Sequence, residues 1–190
     1  MDLVVLTPSD ADVIAAAGRA PEHFAVLFDR HYAAIYAYAA RRLGPDLAED
    51  LASETFLVAF DRRDKYDTAR ADARPWLFGI VSNLVMRHGR AESRRLRLLA
   101  RAAAEGPADP PDELVAGRVD AAVARGRLAA ALARLPLADR DVLLLVAWAG
   151  LNQQEAAEAL GIPAGTARSR LHRARQAMRR ALDLEVEENE

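Results

Sequence analysis

The sequence predicts an all-α protein of two small helical domains joined by a flexible acidic linker, the C-terminal domain carrying a helix-turn-helix. Three observations predict it. Apolar residues recur three and four apart along most of the 190 residues, and no run alternates in the manner of a strand. Gly106, Pro107, Asp109, Pro110, Pro111 and Asp112 break that periodicity with the residue types of a linker. Finally, Asn152 to Arg180 reads as a helix, a tight turn and a second helix whose charge is almost all positive.

Residues 1–19 are weakly patterned. Ser9 with Asp12 three residues on could cap a short helix, but the segment is expected to be a tail. From Pro21, the stripe Phe24, Leu27, Phe28, His31, Ile35 and Tyr38 marks a core helix ending near Gly44, with His31 a packing residue rather than a ligand. Asp46 to about Arg63 forms a second helix with apolar residues on two faces. Asp46, Glu49, Asp50 and Glu54 recur three or four apart and share one side of it. That side is readable as a metal or acid/base site, a solvated face, or a docking face for a basic partner; no second acidic helix or His-x-x-x-His pattern completes a metal site. Residues 61–72 form a polar loop.

A third helix should start between Ala73 and Pro75, with Asp72 as a cap, and run through Trp76, Phe78 and Asn83. Its continuation turns basic through Arg87, Arg90, Arg94, Arg95, Arg97 and Arg101, against the single acid Glu92. Aromatic and amide groups followed by arginines suit a surface that grips phosphates and stacks on unpaired bases. These elements make up a domain over 20–101, followed by a linker over 102–117 and a second domain over 118–184; residues 185–190 form an acidic tail. The second domain begins with a helix from Leu114 to Arg134, with Val119, Val123, Leu128 and Leu132 at helical spacing. Pro136 breaks it, and Asp139 to Trp148 forms the next helix, with Val142, Leu145, Val146 and Ala149 inward.

In the helix-turn-helix, Gly161 supplies the turn, Ile162 fills the space between helices, and Gly165 and Thr166 lead into the second helix. There Ala167, Leu171, Ala174 and Met178 face the core. Arg168, Arg170, Arg173, Arg175, Arg179 and Arg180 take the other faces over roughly 22 Å, enough to cross a major groove about 12 Å wide.

The net charge of -2 conceals this segregation, because the acids cluster at the front, the middle and the end of the chain. Of the 26 basic residues only Lys65 is lysine. The sequence has no cysteine, which suits a reducing cytoplasm, and no signal peptide or membrane-spanning run is readable.

Taken together, Phe24 to Tyr38, Asp50 to Phe56, Pro75 to Leu84 and Leu135 to Arg175 resemble the extracytoplasmic-function group of bacterial sigma-70 factors. The resemblance covers residues 20–182. It implies an initiation factor with no catalytic residues, metal or cofactor, whose partners are core RNA polymerase and promoter DNA. Asp50, Leu51, Glu54 and Phe56 would bind the polymerase, the acidic helix docking on the clamp helices of the largest subunit, and the flap of the second-largest subunit is a further expected contact. Trp76, Asn83, Arg87, Arg90 and Arg94 would serve the minus-ten element, with Asn83 near a flipped base. Thr166, Arg168, Ser169, His172, Arg173 and Arg175 would serve the minus-thirty-five element. An anti-sigma protein is a further expected partner, and a stand-alone helix-turn-helix regulator is the alternative. Ser53 departs from the family's usual glutamine, Gly79 and Ser82 stand at positions often basic, and Gly89 interrupts the basic helix.

Overall fold

The computed structural model describes residues 8–105 and 113–187, and among them the chain is helical with no strand. Helix α1 spans Asp10–Ala17 and is closed by a capping box, in which Ser9 Oγ accepts from the Asp12 N–H at 3.2 Å and the Asp12 carboxylate accepts from the Ser9 N–H at 2.9 Å. It is not part of a tail. Val13, Ile14 and Ala17 are buried, and Asp10 accepts hydrogen bonds from Arg30 at 2.9 Å and the backbone N–H of Ala73 at 3.1 Å, with His31 Nε2 at 2.8 Å. Burial opposes ionisation of Asp10, yet these donors prevail and hold its carboxyl below the usual carboxylate value. The expected tail failed because its partners are distant in the chain.

Helices α2 (Phe24–Leu43) and α3 (Pro45–Asp61) meet at Gly44, whose φ of +98° only glycine adopts readily, and Pro45 opens α3 at a position where its missing N–H costs nothing. Ring pairs Phe24–Phe60 (5.3 Å) and Phe28–Phe56 (4.9 Å) run in opposite order along the two helices, so they form an antiparallel hairpin. Helix α4 (Arg74–Arg87) is buried on nearly every side, including Leu77, Phe78, Ile80, Val81 and Leu84. It starts where Asp72 Oδ1 accepts from the Arg74 N–H at 2.8 Å, and it ends at His88, so the expected long basic helix is two helices. Gly89 opens the second, α5 (Gly89–Glu105).

Helix α6 (Glu113–Arg134) packs along α5, with Gly126 set directly on Ala103. The linker core at 106–112 lies outside the described residues, but 102–105 and 113–117, expected as linker, are helical. Leu128 is exposed, while Ala129 and Leu132 are buried, and the small Gly126 faces α5. Helices α7 (Leu137–Ala147), α8 (Gln153–Leu160) and α9 (Ala164–Glu187) follow, α9 continuing into the stretch expected as an acidic tail. Asn152 Oδ1 accepts from the N–H groups of Gln154 and Glu155 at 2.9 and 3.0 Å, and the Glu155 carboxylate accepts from the Asn152 N–H at 2.7 Å. Gly161, at φ +63°, makes the turn. Ala167 and Leu171 pack with Val142 and Ala157 in a small core of their own. A larger core runs without interruption from α1 through α4 to Ala174 and Met178, so the two expected domains share buried surface.

Candidate nucleic-acid interface

On α9, periodicity sends Ala167, Leu171, Ala174 and Met178 inward and leaves Arg168, Ser169, His172 and Arg175 exposed on the opposite side, as expected from spacing. Thr166 is half-buried in the first turn, where its carbonyl accepts from Ser169 Oγ at 2.9 Å. Arg173 is exposed but engaged. Its Nε and Nη2 donate to the two carboxylate oxygens of Asp139 at 3.0 and 2.8 Å, a bidentate pair that also raises its pKa. Asp139 thus ties the basic helix to the start of α7.

A second basic and aromatic surface lies on α4 and α5. Trp76 is half-buried and its ring lies 5.0 Å from that of Tyr66, whose hydroxyl donates to the Arg70 carbonyl at 2.7 Å. Burial pushes the Tyr66 hydroxyl up to about 12, so it stays a donor at neutral pH. Asn83 is exposed two turns further along, and both residues line a cleft of about 410 Å³. Beyond Asn83, Arg87, Arg90 and Arg94 line a broad open shelf with His88 and Arg97. Arg87 also lies 3.7 Å from Glu54 across to α3.

On α3, Asp46, Glu49, Asp50 and Glu54 are exposed on one side. Leu51 and Phe56, expected to dock with them, are 3% and 5% exposed and belong to the core, where Phe56 meets Phe28 and Tyr32. The helix carries apolar residues on two faces, and spacing alone did not rank them. Leu57 is the apolar residue on the acidic side, 67% exposed and three residues beyond Glu54. Among the described residues no three His, Asp or Glu side chains converge as metal ligands would.

Sequence reasoning also missed a buried charge cluster. Arg42 of α2 donates through Nε to Glu92 of α5, through Nη2 to Glu92 at 3.1 Å and to Asp141 of α7 at 2.6 Å, and through Nη1 to the Tyr38 hydroxyl at 2.7 Å. Arg140 of α7 reaches Glu92 at 3.4 Å and the Leu135 carbonyl at 3.1 Å. All four charged residues are under 5% exposed. Burial pushes the Asp141 carboxyl up and the Arg140 guanidinium down, but two cations facing two anions allow the group to stay charged. The one signal in the sequence was Glu92, the lone acid among arginines.

Two separate basic surfaces have the composition that suits nucleic acid, and α3 carries an acidic face besides. Known proteins agree. Residues 27–95 match Sigma-70 region 2, and residues 125–178 match Sigma-70, region 4. The chain is 35% identical over 158 residues to the ECF RNA polymerase sigma factor SigL of Mycobacterium tuberculosis, an alignment covering 82% of this chain and 86% of SigL. It is 33% identical to the RNA polymerase sigma factor CnrH of Cupriavidus metallidurans, covering 96% and 100%. The solved structure of CnrH in complex with the cytosolic domain of CnrY superposes with a TM-score of 0.65 at 27% identity, over 92% of this chain and 97% of that one. The chain belongs to the sigma-70 family, in its extracytoplasmic-function (ECF) group of RNA polymerase sigma factors. Sigma factors are initiation factors rather than enzymes: they bind core RNA polymerase and promoter DNA and set where transcription starts.

Proposed function

We propose a division of labour among three surfaces. The acidic side of α3, with Asp50, Glu54 and the exposed Leu57, docks on the basic clamp helices of the polymerase largest subunit; Leu51 and Phe56 hold it from within. The α4 face reads the minus-ten element as a single strand. Trp76 offers a stacking ring, Asn83 an amide for a base edge, and Arg87, Arg90 and Arg94 neutralise phosphates. The exposed side of α9 enters the major groove of the minus-thirty-five element, with Arg168, Ser169 and His172 at base edges and Arg175 nearer phosphate. Thr166 steadies the first turn, and Arg173 acts from its Asp139 tether, partly as a positioning residue.

The observation that carries this reading is the exposed Asp50, Glu54 and Leu57 stripe, built on a buried apolar support on a chain of this family. The docked factor uses no cofactor and has no catalytic site of its own, and it works in the cytoplasm where the polymerase is. An anti-sigma protein that covers both DNA-reading units is the expected negative partner. Size-exclusion chromatography with sigma-free core polymerase tests the docking face. Wild type is expected to co-elute with core and the Asp50→Arg, Glu54→Arg variant is not. Co-elution of both would move the docking face elsewhere.

A further inference from the structure

Asp10, the first residue of α1, is 7% exposed and lies against the segment that joins α3 to α4. Its backbone N–H donates to the Ala71 carbonyl at 3.1 Å, and one of its carboxylate oxygens accepts from the Ala73 N–H at 3.1 Å. One residue thus holds the chain on either side of Asp72. The carboxylate is itself aimed from α2, because Arg30 Nη1 donates to its other oxygen at 2.9 Å and His31 Nε2 lies 2.8 Å from the oxygen that Ala73 uses. Helix α1 also packs on the 3-10 helix Arg63–Lys65, at the opposite end of the segment.

That segment supplies one side of the cleft. Tyr66, Asp67, Arg70 and Asp72 line it together with Trp76 and Asn83. On another side Gly79 of α4 comes so close to α8 that a Cβ on it would stand 2.5 Å from the Ala159 carbonyl oxygen. Residues 66–73 form no regular helix. Their internal bonds, from the Tyr66 hydroxyl to the Arg70 carbonyl at 2.7 Å and from Arg70 Nε to Asp67 at 3.3 Å, close the loop on itself without setting how it stands beside α4.

We propose that Asp10 is a positioning residue for the minus-ten strand: held by Arg30 and His31, it fixes loop 66–73 as a wall beside Trp76 and Asn83, so that α1 sets base preference without touching DNA. The inference rests on the reading of α4 as the minus-ten surface. An ionised acceptor is the stronger kind of anchor for a backbone N–H, and here two donors of α2 keep it from swinging away. A recess that receives an unpaired base discriminates among bases only while its walls keep their spacing. Loops keep it less well than helices do, which is why this loop needs a brace from outside itself.

Sequence preference separates a positioning role from a mere loss of stability. The full chain is assembled with sigma-free core polymerase, and the holoenzyme selects from a duplex DNA library with two randomised windows joined by spacers of varied length. Bound DNA is recovered and sequenced. Wild type is expected to enrich one motif in each window. Asp10→Ala should flatten the downstream motif, its strongest position falling from roughly tenfold preference to about twofold, and leave the upstream motif intact. Asp10→Asn keeps an oxygen for the Ala73 N–H and should fall between the two; it also decides the question if the alanine variant does not fold. Leu132→Ala, a core change on α6, lowers stability and should flatten neither motif. Unchanged downstream preference in the Asp10 variants would overturn the brace, as would equal flattening of both windows or a matching loss in Leu132→Ala. Failure of the wild type to enrich anything downstream, beside a clear upstream motif, would instead remove the α4 reading and the brace with it.

Discussion

The two helices proposed to read DNA are built to opposite plans. Helix α9 presents its exposed arginines on the side away from the core, while α4 is buried on nearly all sides and shows Trp76 and Asn83 to a cleft that α8 walls. The difference suits what each is proposed to read. Duplex DNA is approached from outside by a protruding helix, whereas an unpaired base has to be received in a recess where stacking replaces its lost neighbours. A recess is shaped by what holds its walls. A protruding helix can only be restrained, as Arg173 is by Asp139.

The largest effect that would sharpen this contrast is expected in the charge cluster behind α4. Glu92→Ala leaves Arg42 and Arg140 buried without their shared acceptor and should cost about 3–5 kcal/mol in urea unfolding. A loss below about 1 kcal/mol would mean that the free chain already opens the cluster to water. On the open side, Arg168→Ala should remove about 1–3 kcal/mol of discrimination at one base pair of the upstream element, measured by competition among single-base variants with holoenzyme. Arg175→Ala should weaken all sequences alike and lower the salt slope by about one. Equal, sequence-independent losses for both would dissolve the distinction between base and phosphate contacts.

A smaller change is expected from Asp139→Asn. Freed from its carboxylate, Arg173 should tighten duplex binding a few-fold, read by anisotropy, and unchanged binding would leave Arg173 a purely structural residue. The smallest concerns α1. The Asp10 carboxyl is held below its ordinary 3.8, so its contribution to stability is present above that pH and is lost as pH falls through the lower folded value. The melting-temperature gap between wild type and Asp10→Asn should therefore narrow below pH 3.8, and a gap that widens there would reverse the assignment.

Local patterns were legible in the sequence and long-range pairings were not. The Ser9 and Asp12 capping box, the inward set of α9 and the turn at Gly161 depend on residues within a few positions of each other, and each forms as spacing predicts. Asp10 with Arg30 and His31, or Arg42 with Asp141, joins residues that only the packed helices bring together. Helix α3 shows the boundary between the two. Its acidic side was readable, but which apolar residues shared that side depended on how α2 settled against it, so Leu51 and Phe56 were expected where Leu57 stands. Gly79 was visible as a departure from the family pattern, with a reason that lies in Ala159.

Glu92 has one more consequence, which concerns how α5 finds its seat. Greasy surfaces tolerate small rotations, and α5 is rich in alanine, leucine and arginine that many rotations would satisfy equally. Turning it by one residue, about 100°, would carry Glu92 away from both guanidiniums and strand Arg42 and Arg140 in a dry interior. Only one orientation answers both. The acid therefore acts as a key in a lock cut by two arginines, aiming Arg90, Arg94 and Arg97 at solvent by making every other aim costly.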